Sequence, residues 1–405
     1  MASAPEKYDL VVVGGGKAGK SLAMLRAKKG DKVFMVERDK IGGTCINVAC
    51  IPTKTLVSSA RRLAEVRTSA AYGVDLPGAD LASAGVDLEA LRARKESVVG
   101  GMVEAHKKMF AAPGLDFVLG TAKFVGPKTV EATLADGSVR VVEGEKVLIN
   151  TGTTPAIPPI EGLDDVAYWT SEDALRLTEI PDRLVVLGGG VIGVETASMM
   201  ASFGADVTLI EGGERILARE DADVAEEMAA NLAAQGVTVR TGERAVRVSS
   251  GGEGVVVRTT AGEVAGTRLL VALGRTPVTK GLGLEAAGVE LTERGFVKVN
   301  SRLETTAPGV YAAGDVAGTP QFVERFPGAA RPLRRQGRLD GGPPHPVGGL
   351  RDPRARARRN ERERGPRGRT GHPGGQGRRG GGPESQDARP RRGLLQGRRR
   401  RRDRG

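Results

Sequence analysis

Long apolar runs, cysteines and histidines are all scarce in this chain of 405 residues. No stretch of 18 apolar residues occurs, so the sequence predicts no membrane-spanning helix and no membrane partner. The N-terminus leads straight into a charged segment and a short strand without the pattern of a secretory signal, so we expect a cytoplasmic protein. The two cysteines then favour catalysis over a structural staple. A metal site has no support, because His106 is the only histidine before residue 345.

The net charge of +12 comes from one end of the sequence. Residues 331–405 contain 24 arginines, no lysine and 7 acidic residues, a contribution of +17, so residues 1–330 carry −5. A mildly acidic body gives no support to a nucleic-acid-binding domain. The basic segment has no aromatic residue, no isoleucine and no methionine, which is too little apolar surface to offset chain entropy. We therefore expect residues 323–405 to be a disordered, low-complexity tail rich in Arg, Gly and Pro.

Two segments have the pattern of strand, glycine-rich turn, helix and strand: Asp9 to Glu37 and Arg183 to Glu211. In such a turn the first glycine allows a tight bend, the second lets a pyrophosphate approach the backbone, and the third packs helix on strand. The glycines at these positions are Gly14, Gly16 and Gly19 in the first unit, and Gly188, Gly190 and Gly193 in the second. One such turn could be a generic loop, but two copies in this context predict two dinucleotide sites.

Each unit ends in a glutamate, where a carboxylate can accept the ribose hydroxyls of a nucleotide. Glu37 lies 21 residues after Gly16, and Glu211 has the same place in the second unit. Charge repulsion from Glu211 disfavours a 2′-phosphate, so the sequence predicts NADH over NADPH. Arg215 lies nearby and leaves NADPH open as the alternative.

Further elements follow from periodicity and turn residues. The sequence predicts a helix over Leu88–Met109, a β-meander over Phe117–Val142, and strands over Lys146–Thr151 and Gly309–Asp315. The predicted fold class is α/β, with two Rossmann-like, three-layer dinucleotide-binding domains. The predicted boundaries are residues 1–150 plus 276–322 for a discontinuous first domain and residues 151–275 for the second.

Both cysteines lie in the segment GGTCINVACIPTK, residues 42–54. An ideal helix separates residues five apart by about 8.6 Å at Cα, beyond the roughly 4.4–6.8 Å that a disulfide tolerates. We therefore expect Cys45 and Cys50 in an irregular lead-in to a helix whose first turn suits Pro52. The helix end would lower the pKa of the nearer thiol. A thiol pair beside a dinucleotide site suggests electron transfer between a cofactor and a disulfide, and the alternative is two buried structural cysteines.

These motifs, in this order, resemble those of the class I pyridine nucleotide-disulfide oxidoreductases. That family includes dihydrolipoamide dehydrogenase, glutathione reductase, mercuric reductase and the reactive-chlorine-resistance flavoproteins. The resemblance covers Tyr8 to about Gln321. The matching elements are the first glycine turn, GGTCxNxxCxPTK, Thr151-Gly152-x-x-Pro155, the second glycine turn with Glu195, Leu273-Gly274-Arg275-x-Pro277, and Gly314-Asp315.

The resemblance implies FAD in the first domain and NAD(P) in the second. It places Gly43 and Thr44 near the FAD pyrophosphate, the Ala122 backbone near the adenine, and Asp315 on the ribityl hydroxyls. The implied FAD residues are Gly14, Gly16, Gly19, Glu37, Gly43, Thr44, Lys54, Ala122, Thr151, Gly152 and Asp315. The implied NAD(P) residues are Gly188, Gly190, Gly193, Glu211, Ala272, Gly274 and Arg275.

The implied catalytic residues are Cys45, Cys50, Lys54 and Glu195. In the family mechanism hydride passes from NADH to FAD, and the reduced flavin cleaves the disulfide. Cys50 is left as the thiolate against the flavin, and Cys45 attacks the substrate. Lys54 is implied to lie near flavin N5, paired with Glu195.

Two residues, Ala49 and His106, are not explained by this family pattern. Ala49 stands where most family members have glycine, and it would be strained if that backbone needs a positive φ. His106 has no partner visible in the sequence, and we interpret it as an ordinary surface or packing histidine.

Residues 323–405 depart from the family, whose members continue into an α+β interface domain. There a His-Pro and a downstream Glu supply an acid-base pair to the partner subunit, whereas His345 and His372 have no suitably spaced Glu. Reading Val323–Leu333 and Arg354–Arg362 one base later, in GC-rich codons, yields an amphipathic helix and a segment like the interface strand. Our hypothesis is a reading-frame shift near Phe322, which the nucleotide sequence tests. We expect the family homodimer to be impaired in this chain.

The predicted function is NAD(P)H-dependent, FAD-containing disulfide reduction, with electrons passing to a thiol, disulfide or metal-ion acceptor. The segments ACIPTKTLV and GGGVIGVETASM are most similar to the reactive-chlorine-resistance and mercuric-reductase branch. Dihydrolipoamide dehydrogenase activity is the alternative within the family. Alternatives of another class are a flavoprotein whose basic tail binds nucleic acid, and an inactive truncated homologue.

Overall fold

The computed structural model describes residues 4–74, 77–252 and 254–318. Contacts divide the chain into residues 1–336 and residues 337–405, and every described residue lies in the first unit. The predictions of a disordered tail, a frameshift and a lost interface domain fall on residues 323–405, outside the described residues, as do His345 and His372. In the described part of the chain, no helix is both long enough and apolar enough to cross a membrane.

Fifteen strands and eight helices form the described part of the fold. The strands are β1 Glu6–Val13, β2 Val33–Glu37, β3 Leu115–Phe124, β4 Thr129–Leu134, β5 Val139–Ile149, β6 Thr153–Pro155, β7 Arg183–Leu187, β8 Asp206–Glu211, β9 Thr238–Thr241, β10 Ala245–Gly251, β11 Gly254–Thr259, β12 Gly262–Gly266, β13 Arg268–Val271, β14 Arg275–Pro277 and β15 Val310–Ala312. The helices are α1 Lys17–Lys28, α2 Thr44–Asn47, α3 Cys50–Arg67, α4 Leu88–Phe110, α5 Ser171–Arg176, α6 Val191–Phe203, α7 Ala222–Ala234 and α8 Leu284–Ala287. Short 3-10 turns cover Ser69–Tyr72, Leu81–Ser83, Leu163–Asp165 and Asp315–Ala317.

The first sheet has a parallel part with the strand order β3-β2-β1-β5-β15. Its central strands are buried on both faces, as the apolar runs of β1 and β2 require. Strand β4 pairs antiparallel with the second half of β3 and the first half of β5. The predicted strand Lys146–Thr151 is therefore the end of the 11-residue β5, because one long strand serves both the meander and the parallel part.

The second sheet is parallel throughout, in the order β9-β8-β7-β13. It repeats the core of the first sheet: the strand before the glycine-rich turn, β7, pairs on one side with the next strand along the chain, β8. A three-stranded antiparallel sheet, β10-β11-β12, and an antiparallel pair, β6 with β14, complete the described strands. The predicted α/β class with two Rossmann-like units is confirmed. The two small antiparallel sheets had no distinct signal in the sequence.

Helices α3 and α4, which follow the first Rossmann-like unit in the chain, pack on the second unit through a shared apolar core. Leu56 and Leu63 of α3 and Leu91 of α4 belong to the same buried cluster as Met199 and Met200 of α6. The predicted helix over Leu88–Met109 is confirmed as α4, which the Asp87 carboxylate caps at the Ala90 N–H. This packing sets α3, which begins at Cys50, directly against α6, which begins after the second glycine turn.

Candidate active site

The first nucleotide loop, Gly14–Gly19, lies between the end of β1 and the start of α1. Gly14 has φ +102°, and a Cβ there would lie 2.4 Å from the Asn150 carbonyl oxygen, so only glycine fits. The Gly15 N–H donates to Glu37 Oε2 at 2.6 Å. The loop therefore brings Glu37 beside the amide groups that open α1, where an anion is favoured.

The second nucleotide loop, Gly188–Gly193, has the same geometry between β7 and α6. A Cβ on Gly188, at φ +109°, would lie 2.5 Å from the Ala272 carbonyl oxygen. Glu211 Oε2 accepts from the Gly189 N–H at 2.6 Å, and its Oε1 accepts from the Gly213 N–H at 2.7 Å. A Cβ on Gly190 would meet no atom within 4 Å, so there is open space in front of the α6 N-terminus.

Asn150 is a site residue that the sequence analysis missed. Asn150 is buried and directly follows β5. Its Oδ1 accepts from the Gly19 N–H at 2.9 Å. Its Nδ2 donates to the Ala313 carbonyl oxygen at 2.6 Å. The N-cap residue of α1, Gly16, has no side chain to cap the helix, so Asn150, 131 residues after Gly19 in the chain, satisfies an N–H of its first turn. It sets α1 against the segment that carries Asp315.

The other residues assigned to FAD lie around the carboxyl end of the first sheet. Gly43 has φ +80°, and a Cβ there would lie 2.7 Å from the Gly16 Cα, so the Gly43–Thr44 backbone runs against the first nucleotide loop. The Thr151 hydroxyl donates to the Val278 carbonyl oxygen, and a Cβ on Gly152 would point into open space. Ala122 lies half-buried in the second half of β3, opposite Ala132.

Asp315 is held by a residue that had no signal in the sequence. The Thr153 hydroxyl donates to Asp315 Oδ2 at 3.1 Å, and Arg275 Nε donates to the same hydroxyl at 2.6 Å. Arg275 also donates to the Thr153 carbonyl oxygen, across the pairing of β6 with β14. The Arg275 guanidinium therefore points to residues assigned to FAD, and its assignment to NAD(P) stays a prediction.

Ala272 and Gly274 are two other residues that the sequence assigned to NAD(P). Ala272 lies against the second nucleotide loop, and Gly274 follows it by two residues. The Ala272 N–H donates to the Leu187 carbonyl oxygen at 2.8 Å, directly before Gly188. Gly274, at φ +128°, accepts from the Ala156 N–H at 2.9 Å.

The two cysteines lie on either side of a break between α2 and α3. Cys45 is the second residue of the one-turn helix α2, and Cys50 is the first residue of α3. The expected irregular lead-in is this break at Val48 and Ala49, so Cys45 itself is helical. Ala49 has φ −145°, so the positive φ considered for this position is absent. Both cysteines are free and partly buried.

Their thiols form one titrating pair. A hydrogen bond from the Cys50 thiol lowers the pKa of Cys45 to about 7, against the opposing effect of burial, and the charges of Lys20 and Lys17 add to the lowering. The same hydrogen bond and burial raise the pKa of Cys50. The pair therefore loses its first proton near neutral pH and keeps the second. In the protein alone the thiolate is favoured at Cys45, so the thiolate at Cys50 stays a prediction that depends on a flavin against it.

Lys54 and Glu195 form an ion pair between α3 and α6. Lys54 lies one turn after Cys50 on α3, and Glu195 is in the second turn of α6. The pair joins the helix of the cysteines to the helix of the second nucleotide loop. In the described part of the chain, no three His, Cys, Asp or Glu side chains converge as a metal site would require.

These groups fit FAD at the first nucleotide loop and a pyridine nucleotide at the second. Each loop presents the N-terminal amides of a helix of 12 or 13 residues, which suits a pyrophosphate. Each has a carboxylate that its own backbone fixes for ribose hydroxyls. At the first loop, the Asp315 carboxylate lies at the end of β15 in the same crevice, which suits the hydroxyls of a longer cofactor.

Comparison with known proteins agrees with this geometry. Residues 8–330 match the family described as pyridine nucleotide-disulphide oxidoreductase. The chain belongs to this family. Mercuric reductase of Streptomyces lividans is 38% identical over 328 residues, which are 80% of this chain and 68% of the relative. Dihydrolipoyl dehydrogenase of Bacillus subtilis is 35% identical over 316 residues, or 78% and 68% of the two chains.

A solved structure adds agreement in three dimensions. The copper(II) complex of the HOCl-induced flavoprotein disulfide reductase RclA from Escherichia coli superimposes with a TM-score of 0.70 at 37% identity. The match covers 78% of this chain and 68% of RclA. As a pyridine nucleotide-disulphide oxidoreductase, the protein is an oxidoreductase that uses FAD and a pyridine nucleotide. Its relatives differ in the substrate that their names state.

Proposed function

We propose that this chain passes electrons from NADH through FAD to a Cys45–Cys50 disulfide, and then to a thiol, disulfide or metal-ion acceptor. The observation that carries the proposal is the position of Cys50 at the start of α3, one turn before Lys54. Through the ion pair with Glu195, that helix is joined to the helix that opens at the second nucleotide loop. The segment of the cysteine pair thus contacts the first nucleotide loop through Gly43 and the helix of the second loop through Lys54.

Each group of the chain has a defined part in this proposal. Bound FAD would supply a ring that takes hydride from one partner and returns an electron pair to another. The α1 amides and the Gly43–Thr44 backbone would hold its pyrophosphate, and Asp315, oriented by Thr153, its ribityl hydroxyls. Overall, NADH and the disulfide become NAD⁺, the Cys50 thiolate and the Cys45 thiol, and Cys45 attacks the acceptor after it loses its proton. We retain residues 1–150 plus 276–322 and residues 151–275 as the FAD and NAD(P) domains.

Thiol counting tests the proposal directly. The oxidised, FAD-loaded protein is given NADH without oxygen, quenched in acid, alkylated and analysed by mass spectrometry. We expect peptide 41–54, which contains both cysteines, to gain two alkyl groups only after NADH is added. The Cys45→Ser variant, which cannot form the disulfide, is the matched control and should carry one alkyl group with or without NADH. If the wild-type peptide carries the same number of alkyl groups before and after NADH, the proposal is ruled out.

The second part of the proposal is a preference for NADH over NADPH. Both Glu211 oxygens are fixed by backbone N–H groups, so the carboxylate stays where a 2′-phosphate would come close to it. Arg215 donates to the Ala218 and Glu220 carbonyl oxygens of its own loop. We expect Glu211→Ala to lower the ratio of kcat/KM for NADH to that for NADPH by about tenfold, and Arg215→Ala to change it little. A wild type that prefers NADPH would contradict this.

The acceptor is proposed by analogy with relatives. The names mercuric reductase and copper(II) complex of RclA favour a metal-ion acceptor. The second candidate runs the other way, with dihydrolipoamide as the electron donor and NAD⁺ as the acceptor, because a dihydrolipoyl dehydrogenase matches over the same share of its length as the mercuric reductase. NADH oxidation driven by Hg(II) or Cu(II), set against NAD⁺ reduction by dihydrolipoamide, separates them. Faster NAD⁺ reduction would favour the dehydrogenase.

The cytoplasmic location and the impaired homodimer stay predictions. Sedimentation of the purified chain tests the oligomeric state.

A further inference from the structure

A buried lysine and a buried histidine form a pair beneath the cysteine segment. Lys20, the fourth residue of α1, is 3% exposed, and His106 of α4 is 9% exposed. The Lys20 Nζ lies 2.9 Å from the His106 Nε2 and donates to the Gly42 carbonyl oxygen at 2.9 Å. Gly42 precedes Cys45 by three residues. His106 therefore has a partner that the sequence did not show, and both side chains reach the segment that carries Cys45.

The hydrogen bonds fix the protonation of the pair. His106 Nδ1 lies 2.7 Å from the Met102 carbonyl oxygen, which can only accept, so Nδ1 carries the proton. Nε2 then accepts from the Lys20 ammonium, and the ring is neutral. Burial lowers the pKa of His106, and the charges of Lys20 and Lys17 lower it further, in agreement with a neutral ring. The pair is thus one buried positive charge with a neutral acceptor beside it.

The fold alone does not require a lysine at this position. The equivalent residue of the second nucleotide loop, directly after its third glycine, is Val194, which is also buried. An uncompensated buried ammonium is unfavourable, and burial with the charge of Lys17 lowers the pKa of Lys20 to about 8. Among the described residues, no carboxylate lies within ion-pair distance of Lys20. The titrating groups that act on it are Lys17, His106 and Cys45, and Cys45 is the one that can become an anion.

We propose that Lys20, held in place by His106, is a positioning residue that stabilises the thiolate of Cys45. The proposal rests on the proposed function for one point, that Cys45 is the thiol that attacks the acceptor. Lys20 would act through charge, and His106 would act by holding the Lys20 amine at the Gly42 carbonyl. The thiolate would in turn compensate the buried ammonium, so each charge favours the other.

The test is the pH dependence of Cys45 alkylation in chemically reduced, FAD-containing protein. Iodoacetamide labelling between pH 5.5 and 9.5 is followed by fragment spectra of peptide 41–54, which distinguish the two cysteines. The wild-type midpoint of Cys45 is the reference for the variants. Lys20→Met should raise the midpoint by about one pH unit, which lowers the rate at pH 6 by about five- to tenfold. Lys17→Met, which removes an exposed charge on the same helix, should shift it by less than about 0.3.

Matched variants separate a charge effect from a loss of structure. Lys20→Arg keeps the charge and should keep a low midpoint, and His106→Gln keeps an acceptor for the Lys20 amine and should do the same. His106→Leu should raise the midpoint, and adding it to Lys20→Met should raise it no further. If Lys20→Met does not fold, the contrast between His106→Leu and His106→Gln carries the test.

An unchanged midpoint in folded Lys20→Met, or in His106→Leu, would overturn the inference. A loss of FAD affinity with an unchanged midpoint would also overturn it, because Lys20 would then serve the cofactor and not the thiol. The labelling uses chemically reduced protein and needs no turnover. A wild type that NADH cannot reduce would therefore refute the proposed function and leave this measurement intact.

Discussion

Removing the Asn150 amide should destabilise the protein more than removing the amide of an exposed asparagine. In Asn150→Ala the Gly19 N–H and the Ala313 carbonyl lose their partners, and both groups are buried. Each buried group left without a partner costs about 1–3 kcal/mol, so we expect the two groups together to cost about 2–6 kcal/mol. That is a large share of the roughly 5–15 kcal/mol by which domains are stable. Asn150→Asp keeps an acceptor for Gly19 and should lose less.

The assay is urea unfolding followed by circular dichroism, with and without added FAD. Asn231→Ala is the control, because Asn231 is exposed and its side chain makes one hydrogen bond among the described residues, to Glu227 at 3.5 Å; the variant should cost less than about 0.5 kcal/mol. Because Asn150 holds the α1 N-terminus against the end of β15, Asn150→Ala should also weaken FAD binding. A variant as stable as the wild type, with unchanged FAD affinity, would refute the account of Asn150.

Three further predictions concern single residues. Lys54→Met should change the unfolding free energy by less than about 1 kcal/mol, because the Lys54 side chain is 59% exposed, yet it should slow reduction of the cysteine pair by NADH; equal rates would contradict the role of the ion pair. Gly188→Ala should abolish NADH binding by isothermal titration and leave the bound FAD in place, since its Cβ would meet the Ala272 carbonyl; retained NADH binding would refute this. The pKa of Lys20 is about 8 when folded and near 10.4 when unfolded, so the unfolded chain binds more protons between these values. Stability should therefore rise with pH across that window, by up to about 3 kcal/mol from this group, and Lys20→Met should lose that rise in pH-dependent urea unfolding.

The features that could be predicted from the sequence are those with short-range patterns. Gly14, Gly188, Glu37 and Glu211 lie within units of 29 residues, where strand, turn and helix follow one another in the chain. The spacing of Cys45 and Cys50 excluded a continuous helix, and the structure has a break at Val48 and Ala49. Such features depend on backbone geometry over a few residues, which local sequence controls.

The features that the sequence could not predict depend on contacts between distant segments. Asn150 meets Gly19 across 131 positions, and Thr153 meets Asp315 across 162. Lys20 and His106 are 86 residues apart and meet only because α1 and α4 pack around the Gly42 segment. None of these residues has a local pattern that distinguishes it from an ordinary polar residue. The contact of Arg275 with Thr153 could not be predicted for the same reason, since only the β6–β14 pairing brings the two residues together.

The central claim is that electrons from NADH reach the sulfur of Cys50 through FAD. The most direct measurement is the visible spectrum of the purified protein, recorded without oxygen before and after one equivalent of NADH. The account predicts flavin absorption bands in the oxidised protein, and a long-wavelength charge-transfer band after NADH that is absent from Cys50→Ser. A wild-type spectrum that NADH leaves unchanged, or a band that persists in Cys50→Ser, would contradict it.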